Sequence, residues 1–157
     1  IEVGLLIACL LFMKRVAETT KVTLKRNCID PNAESDITLH EETLILPERV
    51  EVYEIDGPFF FGIANKFEEV MVQLYDRPKV RIIRMRKVPF IDSTGIHNLT
   101  NLCRLSQKEN IHIILSGVNE NVHTVLKKAG FYGLIGEENI CSNINEAIKR
   151  AEEYVAQ

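Results

Sequence analysis

Residues 80–99 read VRIIRMRKVPFIDSTGIHNL, and the fold class follows from how this stretch divides. Val80–Met85 shows little polar–apolar alternation, the pattern of a strand covered on both faces. The chain leaves that strand through Lys87–Phe90. Asp92-Ser93-Thr94-Gly95 then brings carboxylate and hydroxyl groups to the point where a helix begins. Such groups satisfy the free N–H donors of a first turn. A helix is expected from about Thr94 to Gln107, with Ile96, Leu99, Leu102 and Cys103 facing inward.

Strand and helix patterns continue on both sides. Downstream, Ile111–Leu115 reads as another buried strand. A helix follows with Val122, Val125, Leu126 and Ala129 on one side, Lys127 and Lys128 in its last turn and Gly130 just past it, matching helix C-terminal preferences. Ile140-Cys141 is expected as a last short strand. Asn143 and Glu146 have the spacing of a capping box for a final helix with Ile144, Ala147, Ile148, Ala151 and Val155 in one stripe. Upstream, Arg49–Ile55 alternates as a strand and Asp56-Gly57-Pro58 turns the chain. Phe59–Phe61 reads as a short strand entering a helix whose stripe is Phe67, Val70, Met71 and Leu74, ended by Asp76-Arg77-Pro78. Strands separated by helices of this length predict an α/β fold, a mixed, mostly parallel sheet packed by about four helices.

The front end differs in kind. Val3–Met13 (VGLLIACLLFM) is an uncharged run of eleven residues closed by Lys14-Arg15. A helix needs about 20 apolar residues to cross a bilayer. Three readings stay open: the last part of a transmembrane helix, a buried helix of the globular body, or an interfacial segment. Residues 1–26 carry five of the 19 Lys/Arg and two of the 22 Asp/Glu. Basic residues directly after an apolar helix mark its cytoplasmic side. Lys21–Arg26 alternates as a short strand, 28–36 reads as a turn or loop, and Thr43–Leu46 reads as an edge strand stopped by Pro47.

With 157 residues, 46% hydrophobic and 26% charged, there is material for one core. Net charge −3 and a pI near 5.9 give no broad basic surface for nucleic acid. Cys9, Cys28, Cys103 and Cys141 are far apart, which argues against a zinc site or a disulfide framework and for a reducing compartment. His40, His97, His112 and His123 have no metal-binding spacing, and no phosphate-binding glycine loop is present. Asp92, Ser93 and His97 have the residue types of a catalytic triad. Asp92 adjoins Ser93, however, and cannot readily reach the far nitrogen of His97. No catalytic residue, metal or cofactor is therefore expected. Arg81, Arg84, Arg86 and Lys87 cluster around one strand, either as a solvated edge or strand end or as a face that docks acidic partners, lipid headgroups or a permeating anion at its entry. Two readings of Asp92, Ser93, Thr94 and Gly95 remain from spacing alone: a helix cap, or a hydroxyl that accepts phosphate or meets a partner.

The segment FIDSTGIHNL (90–99) resembles the D-S/T-x-G segment of STAS domains, shared by SulP anion permeases and bacterial anti-sigma-factor antagonists. DGPFFFGIANKFEEVM (56–71) is similar to the second-strand and first-helix region of SulP STAS domains, and VLKKAGF (125–131) to their third helix. EVGLLIACLLFMKRVAETT (2–20) is similar to the last membrane helix of a SulP permease running into its linker. The resemblance implies an end of the last transmembrane helix at 1–17, a linker at 18–47 and a cytoplasmic STAS domain at 48–157. It implies a regulatory and structural role in a secondary transporter of sulfate, bicarbonate or a similar anion, in an inner or plasma membrane. Implied partners are the permease's own membrane part, further copies through that permease, and a regulatory protein or kinase at Asp92–Gly95. By the same resemblance Thr94 holds the phosphoacceptor place, with Ser93 beside it. The alternative is a soluble anti-sigma-factor antagonist switched by Ser/Thr phosphorylation.

Overall fold

The computed structural model describes residues 1–25, 28–29, 44–60, 66–67 and 77–157. In chain order the elements are α1 (Glu2–Thr19), β1 (Lys21–Lys25), β2 (Cys28–Ile29), β3 (Leu44–Ile45), β4 (Val50–Asp56), β5 (Val80–Lys87), α2 (Ser93–Lys108), β6 (His112–Ser116), α3 (Glu120–Lys128), α4 (Tyr132–Ile135), a 3₁₀ turn (Glu137–Asn139), β7 (Ile140–Cys141) and α5 (Ile144–Val155). The main sheet has the order β1-β4-β5-β6-β7. β4 to β7 are parallel, and β1 runs antiparallel on the β4 edge. This is the expected mixed, mostly parallel sheet.

Alternation along the strands divides the core into two layers. Tyr53, Ile55, Ile83, Met85, Ile113 and Leu115 face α2, α3 and α4, where Leu99, Leu102, Cys103, Val122, Leu126 and Phe131 close over them. Val50, Val52, Val80, Ile82 and Ile114 face α5, which supplies Ile144, Ala147, Ile148 and Ala151. Burial pushes the Cys103 thiol up to about 12, so it stays protonated at neutral pH. Gly130 has φ +70° after α3, the left-handed position that glycine fills without strain. There Phe131 N–H donates to Leu126 O and Gly130 N–H to Lys127 O, both at 3.1 Å. That pair of bonds closes the helix end.

Several sequence expectations change. Phe59 forms a single bridge to Ile91 instead of a strand. Leu44–Ile45 pairs antiparallel with Cys28–Ile29 in a separate two-stranded ladder, so it is not an edge of the main sheet. Val125 and Ala129 are exposed, because Phe131, Tyr132 and Ile135 fill the core beside α3. Arg81 and Arg84 are buried, not solvated. Their parallel neighbours Glu51 and Glu54 supply the counter-charges, at 3.9 and 3.7 Å. Lys66 and Phe67 are helical, and Phe67 is buried against Tyr53 at 5.6 Å between ring centroids. Val70, Met71, Leu74 and Asp76, like Phe61, Arg26, His40 and most of the 28–36 loop, lie outside the described residues.

α1 stands apart from both layers. Val3, Leu5, Leu6, Leu10, Leu11 and Phe12 each expose more than half of their surface, which removes the reading of a buried core helix. No helix among the described residues is long and apolar enough to cross a membrane. The basic end of α1 is nevertheless fixed to the body. Thr20 is 3% exposed, its hydroxyl donates to Pro58 O at 2.8 Å, and Lys66 Nζ donates to Thr20 O.

Candidate functional site

The site is built where β5 and β6 end. Past Lys87 the chain runs beside the segment that follows β4. Phe59 N–H donates to Phe90 O at 3.1 Å, and Asp92 N–H to Phe59 O at 3.5 Å. Asp92 then caps α2, its Oδ1 accepting from Gly95 N–H at 2.6 Å. Asn119 caps α3 in the same manner, accepting from Val122 N–H at 2.9 Å. Its amide also donates to Val88 O at 2.6 Å, which ties the two helix starts together.

Ser93 and Thr94 occupy the first two helical positions and are exposed. Their backbone N–H groups have no acceptor within the helix, and the helix dipole adds partial positive charge there. A phosphoryl group on either hydroxyl would meet these donors. The nearby Asp92 carboxylate opposes it but is already engaged with Gly95. Phe90 is 47% exposed, and its ring packs edge-on against Phe60 with centroids 4.8 Å apart. Exposed hydroxyls beside an exposed aromatic ring are chemistry suited to a protein partner.

Gly95 is the one member of the loop that is buried. A Cβ added there would lie 2.1 Å from Phe59 O and 2.8 Å from Ile91 Cγ1. The glycine is required because the Phe59 backbone crosses the first turn of α2. The four residues expected as a site are therefore contiguous but divided in role: Asp92 and Gly95 build the turn, while Ser93 and Thr94 face solvent.

Asp92 and His97 do not combine. Asp92 is spent on Gly95 N–H, and His97 Nε2 lies 3.0 Å from Asn101 Nδ2. Among the described residues no group of three or more His, Cys, Asp and Glu could hold a metal ion. Thr94→Asp is expected to change stability by less than about 1 kcal/mol, since an acid in a first helical turn is favoured by the dipole. Urea unfolding checks this, and a loss of fold would contradict the assignment of Thr94 to the surface.

Residues 44–147 match the profile of the STAS domain. The chain is 38% identical to the sulfate transporter family protein of Wolinella succinogenes, whose crystal structure superposes with a TM-score of 0.69 over 73% of this chain and 93% of that one. It is 39% identical to the STAS domain of a SulP transporter from Vibrio cholerae, with a TM-score of 0.64 over 71% of this chain and 88% of that one. The putative sulfate transporter YvdB of Bacillus subtilis is 25% identical over 93% of this chain, which spans only 26% of that protein's length. The fold, the capped Asp92–Gly95 turn and these matches agree, and the chain belongs to the STAS domain family.

Proposed function

We propose that this chain is the cytoplasmic regulatory and structural STAS domain of a SulP-type secondary anion transporter, joined to the membrane part by α1. The observation that carries the reading is α1 itself. Its apolar residues are exposed all round, Lys14-Arg15 follow them, and Thr20 fixes the helix end to the body. Eleven helical residues span about 16 Å, about half of a hydrocarbon core near 30 Å. The relatives support the same reading, since YvdB is named a sulfate transporter. Sulfate or a similar small anion is the proposed cargo of the whole protein, and its passage belongs to the membrane part. The domain performs no catalytic step.

The contacts around Thr20 give regulation a physical route. Thr20 bonds Pro58 O, and the adjoining Phe59 backbone packs on Gly95 and bridges Ile91. A partner or kinase engaging Ser93, Thr94 and Phe90 thus acts about one residue away from the anchor of α1. Contacts between copies run through the membrane part in this reading. A freely soluble switch protein has no use for a helix with eight exposed large apolar residues, which disfavours the anti-sigma-factor alternative.

Neutral phosphatidylcholine vesicles test the proposal, because they remove attraction between basic residues and anionic lipid. The intact chain is expected to sediment with vesicles. The Leu6→Glu/Leu10→Glu variant loses about 3–6 kcal/mol of transfer free energy and should bind at least a hundredfold more weakly. Equal partitioning of the two proteins would overturn the membrane reading.

A further inference from the structure

On the α5 side of the sheet, the apolar row Val52–Ile82–Ile114 gives way to a polar one. The registers Glu54↔Arg84, Arg84↔Ser116 and Ser116↔Cys141 set these residues in line across the strands. α5 covers the apolar row, and its first residues open onto the polar row. A groove of about 470 Å³ lies there, lined among others by Arg84, Arg86, Ser116, Asn143, Ile144 and Asn145. We propose that this groove binds a tetrahedral oxyanion, sulfate or hydrogen phosphate. The inference rests on the groove alone and stands or falls independently of the membrane reading.

Three kinds of donor line it. The Ser116 hydroxyl is 1% exposed and has no hydrogen-bond partner among the described residues. A buried hydroxyl is rarely left so, and an oxyanion oxygen would satisfy it. The first two N–H groups of α5, those of Ile144 and Asn145, have no acceptor within the helix, whose dipole favours an anion. The Asn143 cap takes only the Glu146 N–H, at 3.0 Å. Arg84 is buried with its guanidinium 3.7 Å from Glu54, and Glu54 is also 3.8 Å from Lys87. Lys87 lies between Glu54 and Asp56, 3.9 Å from the latter, so Arg84 would keep Glu54 as a partner while its guanidinium adds positive charge to the groove. Arg86 is exposed at the mouth. Guanidinium forks, a hydroxyl and amides arriving from different directions suit a ligand with several acceptor oxygens better than a halide. Two carboxylates oppose binding: Glu54, paired with Arg84, and Glu146, which accepts the Ser142 N–H at 3.0 Å beside the groove.

The test titrates the whole 157-residue chain in detergent micelles with sodium sulfate, and separately with sodium phosphate. Sodium chloride holds ionic strength constant, and amide NMR shifts are followed at 116–118 and 142–145. Saturable shifts confined to these segments are expected with at least one of the two anions, and the one saturating at lower concentration identifies the ligand. Arg86→Gln and Ser116→Ala should each weaken binding about tenfold. Ser116→Ala should leave the melting temperature unchanged or raised, because the hydroxyl it removes is unsatisfied. Glu146→Gln keeps the capping bond and should tighten binding. Shifts that rise linearly with both salts, or that neither Arg86→Gln nor Ser116→Ala alters, would overturn the proposal.

Discussion

Gly95→Ala should destabilise the domain by about 2–4 kcal/mol, the sum of overpacking and a weakened helix cap. The new methyl would fall 2.1 Å from a backbone oxygen, that of Phe59, and 2.9 Å from the ring atom Cδ1 of the same residue. A flexible side chain could swing away, but a carbonyl held in place by the Phe59–Ile91 bridge cannot. Relief would require separating that bridge or tilting α2, and tilting breaks the 2.6 Å bond from Gly95 to Asp92. The clash is local to the proposed regulatory loop, so the Ser93–Thr94 surface should distort before the far end of the sheet does. Urea unfolding measures the loss, and amide shifts at 58–60 and 90–96 locate it. Stability equal to the parent would show that the Phe59 segment does not cross α2 as described.

Arg81→Met should cost about 3–5 kcal/mol, because it removes the guanidinium that neutralises a buried carboxylate. Glu51 and Arg81 face each other on β4 and β5, with side chains 5% and 7% exposed. Arg81 also donates to Ser106 Oγ at 3.0 Å, and the Tyr53 hydroxyl donates to Glu51 at 3.0 Å. Burial first, and then the Glu51 charge, raise the Tyr53 pKa, so that hydroxyl remains a donor throughout the working pH range. Removing both charges in Glu51→Leu/Arg81→Met leaves no buried charge without its counter-ion, and the double variant should be more stable than Arg81→Met alone. A double variant as unstable as the sum of the two single changes would mean that the pair is not coupled.

The same pair marks the limit of what the sequence conveys. The strand–helix alternation, the Asn143 cap and the stripe on α5 are local patterns, and local patterns are legible. Arg81 and Arg84 look like surface charges until β4 is set parallel to β5, where Glu51 and Glu54 repeat their three-residue spacing. The signal was present in the spacing of two distant strands, but reading it requires the register. The pairing of Cys28–Ile29 with Leu44–Ile45 is another long-range match between two-residue strands, with too little pattern to see. Val125 and Ala129 fit a helical stripe, yet the next segment fills the core in their place.

The candidate loop was legible as residues and not as mechanism. Asp92-Ser93-Thr94-Gly95 announces a helix start, and spacing left capping and partner contact undivided. The structure divides them by residue: Asp92 caps, Gly95 makes room for Phe59, and Ser93 and Thr94 remain outside. Of the groove beside Ser116 the sequence showed only the basic cluster that includes Arg84 and Arg86, since the rest of its lining comes from β6 and the start of α5. Only the fold brings these together.

Cys9, exposed within the apolar run of α1, reports directly on where that helix resides. The rate at which a membrane-impermeant maleimide modifies the Cys9-containing peptide can be compared with and without phosphatidylcholine vesicles, by mass spectrometry. If α1 enters the bilayer, vesicles should slow the modification at least about tenfold, as lipid removes the thiol from water. Modification of Cys9 at the same rate in both conditions would contradict the membrane attachment on which the functional reading depends.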